Sequence, residues 1–463
     1  MGGFGTGLNA LDLSGTSFGM GSGLNVQSIV QSLTQAAQAS ESQYTDEQTL
    51  FNSQTSALTN ISSLLTSLQI ATQTLQDPAG PLAARDATSS DAGVVTASAS
   101  SGIATGNYSL VVNWLASTAV LASQPQTSAT SAVGAGTIQY SIGANNYSIS
   151  VSSTDTLNSL VSEINSGNYG VTASIINDSQ GSILALTSNT GGSAGNVTNL
   201  SDSSGLGLGE ATPGKDASLS VNGVPIFESS NTVSGVIPGV TFTLTGTSDA
   251  PVSVAVTQDV NQASTAVNDF VSAYNAVVQA INTQFTYTAG ASSQPPLFSD
   301  SSLQNVQSTL AKDINYFTTG NGGISGLSSI GVSLQQDGTL SVNSATLNSA
   351  LSSNATAVAN LFQGPDYMSG LAGQLYTDLG NLTDPTQGVL ALDKSGINQE
   401  LQDVTQTINE FNANLLLQEQ QWTMEYSQVN ATLQELPLLI AQASGQASTF
   451  NSTGSGSSTL SGG

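Results

Sequence analysis

Four side chains carry all the positive charge of this sequence: Arg85, Lys215, Lys312 and Lys394. They stand against 30 acidic residues, and the 463-residue chain has neither histidine nor cysteine. Those two absences remove the usual general base and proton shuttle, the thiolate nucleophile, the disulfide and the two commonest transition-metal ligands. Carboxylates, hydroxyls, tyrosines and four cations are what remains for chemistry. Asp300, Asp313, Asp366 and Asp384 could serve glycoside hydrolysis only if two of them faced each other across a sugar, and their separation along the chain implies no such pair. No run of acids at alternate positions ahead of a glycine suggests a calcium loop. The expectation is no enzyme: no catalytic residues, no cofactor and no dedicated metal site.

Two glycine patterns invite a nucleotide reading. Gly209, Gly214 and Lys215 match the first seven positions of a phosphate-binding loop, whose glycines let backbone amides surround phosphate oxygens. The next position is Asp216 where a hydroxyl should hold magnesium, and the flanks are a glycine-rich stretch and a strand pattern, so the match reads as chance. Gly19, Gly21 and Gly23 precede a helical pattern but follow no strand, which leaves a flexible lead-in. Trp422 and Met424 fall on or beside a helix seam, where packing explains them better than ligand binding.

The formal net charge of −26 offers no basic footprint for nucleic acid and is repelled by an anionic membrane surface. Only 7% of residues are charged, and the polar remainder is Ser, Thr, Asn, Gln and Gly. No apolar stretch approaches the ~18 residues of a spanning helix. Leu436 to Ala441, interrupted by Pro437, is typical of what exists. The first residues show no basic region followed by an apolar one, so secretion, if it occurs, uses no conventional signal peptide.

Long helices are read toward both ends of the sequence. After a Gly/Ser/Thr-rich arm over residues 1–23, a helical pattern begins with Val26, Ile29, Val30 and Leu33 and weakens near residues 40–45. It resumes as Phe51, Leu58, Ile61, Leu65, Leu68 and Leu75, with Gln54 and Thr72 as polar fillers, and stops at Pro78 and Pro81. The C-terminal stripe is Ile397, Leu401, Val404, Ile408, Phe411, Leu415, Trp422 and Val429, continuing to Leu433, Leu436 and Ile440. A stripe so narrow on a helix so long needs a partner. The N-terminal stripe, packed antiparallel, is the candidate for the seam, and an ordinary helical-bundle core is the rival reading.

Between these ends the pattern is β. Asn222-Gly223 between short alternating runs predicts a tight hairpin, and Asp337-Gly338 a second one. A small α+β unit comprises a hairpin turning near Asn145, a helix over about residues 156–165 burying Leu157, Leu160, Val161 and Ile164, and a hairpin turning at Asp178 to Gly181. Gly191 to Gly214 reads as a mobile linker. Helical patterns return over 263–285 and from Leu303 to Ile314. The expected fold is α+β: a leg of long antiparallel terminal helices (24–80 and 263–443) carrying two β-rich head domains. The first head is 81–132 with 215–262, the second is the insertion 133–214, and 444–463 is a disordered tail.

Taken in order, several segments resemble the flagellar hook-associated protein 2 family, the filament cap. They are Gly23-Leu24-Asn25-Val26, Val95 to Ser98, Gly106 to Ala116, Ile237 to Leu244, Asp269 to Asn275, and Gly338-Thr339-Leu340 through Leu361-Phe362. Ile164-Asn165 with Gly170 to Ser174 resembles the repeated module of flagellar filament and hook-associated proteins. The resemblance implies a structural subunit at the tip of the flagellum, exported unfolded by the type III apparatus on an uncleaved N-terminal signal. It implies a ring-like homo-oligomer of about five subunits that promotes flagellin folding and insertion. Implied partners are flagellin, the hook-filament junction proteins and an export chaperone, with no nucleic acid and no membrane insertion. Another axial protein (flagellin or a junction protein) or a secreted adhesin is the alternative. The family's helices usually carry many Lys and Arg; these carry hardly any, so their pairing must use apolar and amide contacts.

Overall fold

The structure, a computed structural model, describes residues 25–291 and 293–452, with side chains to Ser444. It divides into two compact units. One comprises the chain up to Ser63, Thr283–Gln304 and the chain from Leu382; the other comprises Leu64–Asn282 and Asn305–Asn381. The arm over 1–23, with its Gly19, Gly21 and Gly23, lies outside the described residues.

In the first unit, α1 (Val26–Gln38) opens at Asn25, whose side chain accepts the Ser28 N–H at 3.2 Å and so satisfies one orphan donor of the first turn. A break at residues 39–41 separates it from α2 (Ser42–Gln76), where the sequence predicts an interruption. Past Gln76 the chain enters strands.

The second unit contains a β-sandwich. Strands β1 (Arg85–Ser89), β2 (Val95–Ala99) and β3 (Gly106–Trp114) lead into an insertion. The insertion holds β4 (Thr118–Ala122), β5 (Gly136–Ile142), β6 (Asn145–Val151), α3 (Leu157–Ser166), β7 (Val171–Asp178), β8 (Gly181–Gly191), β9 (Val197–Asp202) and β10 (Gly209–Thr212). The sandwich resumes with β11 (Ala217–Val221), β12 (Val224–Glu228), β13 (Thr232–Ile237), β14 (Val240–Leu244) and β15 (Val252–Gln258). One sheet has the order β1-β15-β3-β11-β12, the other β13-β14-β2, and every pairing is antiparallel. Alternate residues, among them Leu110, Val112, Leu219, Phe242 and Val254, fill the space between the sheets, as the period of two requires.

The insertion has its own core of Ile138, Tyr140, Ile149, Leu160, Ile164 and Leu184, enclosed by sheets β10-β4-β8-β7 and β6-β5-β9 and by α3. Two expectations are corrected here. Thr118–Ala122, placed with the first β region, pairs with β8 and β10, and Leu121 joins the inserted core. Gly191 to Gly214 is no linker. It carries β9 and β10, and between them Asp202 accepts the N–H groups of Ser204 at 2.8 Å and Leu208 at 3.0 Å, folding Leu206 and Leu208 inward.

The rest of this unit is helical. It contains α2 beyond Ser63 and α4 (Val260–Phe285) as far as Asn282, and α5 (Ser301–Ile314) from Asn305. There follow the hairpin β16 (Val332–Leu334) and β17 (Leu340–Val342), then α6 (Ser344–Ser353), α7 (Ala355–Gln363) and α8 (Leu371–Thr383) as far as Asn381. The buried face of α4 includes Val267, Phe270, Val271, Tyr274, Val277, Val278 and Ile281, whose spacing of three and four residues is that of one helix face. Gln363, buried, donates its side-chain amide to the carbonyls of Leu75 at 3.3 Å and Asp77 at 2.9 Å, satisfying acceptors left at the end of α2.

The last helix, α9 (Val389–Ser452), begins in the first unit and runs through Pro437. Proline has no N–H, so the Leu433 carbonyl loses its helical partner there. The helix runs as far as Ser452, into the segment from Ser444 that the sequence reads as a tail. Residues 453–463 lie outside the described residues.

Candidate functional site: the helix seam and its clamps

Three side-chain bonds tie α2 and the turn just before it to α9 within the first unit. Asn412 Nδ2 donates to Glu41 Oε1 at 2.8 Å, Gln48 Nε2 to Thr405 Oγ1 at 2.9 Å, and Lys394 Nζ to Thr59 Oγ1 at 2.9 Å. From Glu41, at the turn that leads into α2, the chain climbs seven residues to Gln48 and eleven more to Thr59, while the partners descend α9 by the same seven and eleven, from Asn412 to Thr405 to Lys394. The helices are therefore antiparallel and hold one register through this stretch. Seven and eleven residues are close to two and three helical turns, so the three bonds return to one side of each helix.

The apolar positions of the seam follow. In the first unit Leu58 and Ile61 are buried, Phe51 is half-buried, and on α9 Ile397 and Leu415 are buried while Leu401, Val404, Ile408, Phe411 and Trp422 are half-buried. Val429 is 43% exposed, and Met424 is exposed as well. Leu65, Leu68 and Leu75 are fully buried but belong to the second unit. Past Ser63, α2 lies beside α4 and α8: Ser67, Ala71 and Thr74 share a hollow with Ala266 and Ala273, and the Gln69 amide sits against Gly380. The N-terminal stripe thus serves two different partners along its length. Its polar fillers are satisfied, Gln54 on the Pro296 carbonyl at 3.0 Å and Thr72 on the Leu68 carbonyl at 2.7 Å.

A second device was not legible in the sequence. Asn165, Asn196, Asn231 and Asn275 each grip one distant residue by both backbone groups, donating from Nδ2 to its carbonyl and accepting its N–H at Oδ1. The residues gripped are Ala173 (2.8 and 2.7 Å), Gly214 (3.1 and 2.6 Å), Ala116 (3.0 and 2.7 Å) and Leu340 (2.8 and 2.6 Å). Each amide imitates a neighbouring strand. The Asn165 clamp joins the two halves of the motif Ile164-Asn165 and Gly170 to Ser174. Gly170 beside it has φ +67, and a Cβ there would lie 2.7 Å from the Tyr147 ring.

The residues singled out for chemistry are engaged structurally. Lys215 Nζ lies 4.0 Å from the centroid of the Trp114 ring, and Asp216 accepts from Ser193, whose hydrogen bonds hold its carboxyl below the usual range. Arg85 donates to the carbonyls of Ile103 and Ala83. Asp300 accepts the Leu303 N–H at the start of α5, and Asp366 and Asp384 each accept backbone N–H groups of their own turns. Asp313 differs. Its side chain is 1% exposed, and Lys312 reaches it at 3.5 Å and Asp378 at 3.1 Å. Burial, then the Asp378 carboxylate, pushes Asp313 up to about 6, while Lys312 pulls the other way. Among the described residues no three His, Cys, Asp or Glu side chains gather as a metal site, and no helix is long and apolar enough to cross a membrane.

Comparison with known proteins agrees with this architecture. The family described as "Flagellar hook-associated protein 2 N-terminus" matches residues 22–119, and "Flagellar hook-associated protein 2 C-terminus" matches residues 214–437. The "Flagellin hook IN motif" matches residues 134–190, which contain α3. The flagellar hook-associated protein 2 of Escherichia coli (strain K12) is 28% identical over 451 residues, covering 91% of this chain and 95% of that protein. The B-type flagellar hook-associated protein 2 of Pseudomonas aeruginosa is 28% identical over 234 residues, spanning 49% of this chain and about half, 48%, of that relative. Among solved structures, the D1-D2-D3 domains of the flagellar cap protein FliD from Escherichia coli superpose with a TM-score of 0.61 at 25% identity, covering 74% of this chain and 99% of that one. These matches define a structural protein of the bacterial flagellum. The chain belongs to the flagellar hook-associated protein 2 family.

Proposed function

We propose that this chain is a subunit of the flagellar filament cap and has no enzymatic activity. Exported through the type III apparatus on an uncleaved signal, it works outside the cell at the filament tip. There copies associate into a ring-like cap of about five subunits. The cap meets flagellin and promotes its folding and insertion, having reached the tip past the hook-filament junction proteins and with the help of an export chaperone. The single observation that carries the reading is the register-locked antiparallel pairing of α2 with α9, which joins a helix from the N-terminal part of the sequence to one from the C-terminal part. A strain lacking the chain is expected to release monomeric flagellin into the medium instead of extending filaments. Normal filaments on such a strain sink the reading. Electron microscopy of the purified protein separates a cap from flagellin, since discrete small rings are expected and long polymers are not.

One observation favours an added adhesive role. A bulge in β3 turns Trp114 outward, so that Trp114, Ser218 and Phe227 form one row across β3, β11 and β12, with both aromatic rings exposed. Phe227, and the face of Trp114 that Lys215 does not cover, suit stacking on neutral sugar rings. On a glycan array, Trp114→Ala with Phe227→Ala is expected to abolish any signal given by the wild type, and an unchanged pattern counts against adhesion through this face.

A further inference from the structure

In the second unit, the end of α2 carries an apolar shelf that the pairing of α2 with α9 does not use. Ile70 projects from α2 at 60% exposure, and beside it the loop between Gly364 and Gly370 presents Tyr367 at 50% and Met368 at 60%. Two hollows of about 510 Å³ and about 550 Å³ flank this point, sharing Ile70, Thr74 and Pro81 as a common wall. Three large apolar side chains left in water side by side, next to two hollows, form the kind of exposed patch that marks an interaction site.

The shelf is built, and held against a backbone preference. Tyr367 has φ +61, a left-handed conformation that a bulky residue adopts only when its surroundings impose it. Asp366 imposes it from one side, accepting the N–H groups of Met368 at 3.1 Å and Ser369 at 2.8 Å. Gln76 of α2 imposes it from the other, donating Nε2 to the Tyr367 carbonyl at 3.1 Å and to Met368 Sδ at 3.2 Å. The carboxylates Asp77 and Asp269 rim the two hollows, both exposed, and no lysine or arginine lines either one.

We propose that this shelf docks a segment of a partner protein presenting one large apolar side chain flanked by lysine or arginine. The apolar floor takes the anchor, and the two rim carboxylates select the flanking cation. A second copy of this chain does not fit, because it brings a net charge of −26 and its four cations are already engaged on Trp114, on the Asp378 pair, on Thr59 and on backbone carbonyls.

The test uses the full chain, labelled, against an array of peptides of about fifteen residues in which a Leu, Phe or Trp anchor is flanked by Lys, Arg, Ser or Glu. Tight binders are then titrated in solution. Cation-flanked anchors are expected to bind about tenfold or more tightly than Glu-flanked ones. Ile70→Ser and Tyr367→Gly should each remove that binding at unchanged melting temperature, since glycine accepts the φ at 367 without strain. Asp77→Asn with Asp269→Asn should level the Lys and Glu series. Equal binding of both series, indifference to Ile70→Ser and Tyr367→Gly, or no bound peptide overturns the proposal. So does loss of self-association in Ile70→Ser, which would assign the shelf to a second copy.

Discussion

Asn231 shows how this chain is held together without disulfides and with few ion pairs. Its amide bridges the Ala116 N–H and carbonyl, where the sandwich gives way to the inserted module. Removing it leaves two backbone groups half-buried without partners. Asn231→Ala is therefore expected to cost about 2 kcal/mol, read as a lower urea midpoint at unchanged slope. Asp313 gives the pH dependence. Buried on α5, it faces Asp378 of α8, Lys312 beside it and Tyr274 of α4, whose own hydroxyl is pushed up to about 12 by burial and then by Asp313. Because the folded Asp313 titrates at about 6, above its ordinary value, the folded state binds the proton more tightly than the unfolded chain. Its contribution is complete below about pH 4 and is lost as pH rises through about 6. Wild type should lose about 2 kcal/mol between pH 4.5 and 7.5 relative to Asp313→Asn. Parallel melting profiles for the two proteins over that range would falsify the assignment.

At the scale of elements, each seam is as strong as its buried positions. Leu58 is 1% exposed in the α2 seam, whereas Leu50 on the same helix is 45% exposed. Leu58→Ala should cost about 3 kcal/mol and Leu50→Ala well under 1, a contrast measurable by thermal melts followed by circular dichroism. The hairpin at Asn222-Gly223 shows why local chemistry was sufficient there. Both residues have positive φ, 51 and 83, as a tight turn matching strand twist demands. The same hairpin protects its sheet. With Val221 opposite Val224, the N–H groups of Val224 and Ile226 point inward and Pro225 falls on the free edge of β12, which is thereby denied a donor for strand addition.

At the scale of the whole molecule, charge governs association. Each copy carries −26, and its four cations are engaged within the chain, so bringing copies together adds like charge to like charge. Self-association should strengthen about tenfold between 0.02 and 0.5 M NaCl, where the screening length falls severalfold. Sedimentation velocity across that series checks it, and association that weakens with salt would mean that ion pairs between copies dominate instead.

What the sequence determined by itself was whatever depends on near neighbours or on composition. The stripes of α2, α4 and α9, the break before Ser42, the turns at Asn222 and Asp337, and the absence of histidine and cysteine all belong there. Only the tertiary structure decided which surfaces those stripes meet. Leu58 and Leu65 continue one periodic pattern, yet they are buried in different units. Thr118–Ala122 reads as a strand either way, but its sheet was settled by pairing with residues about sixty positions further on. Gly191 to Gly214 reads as a linker because glycine-rich strands lack the alternating signal, and only Asp202 and the buried Leu206 and Leu208 reveal its fold. The asparagine clamps and the Asp313–Asp378 pair were invisible for the same reason. Burial and partnership arise between residues that the folded chain, and no local rule, brings together.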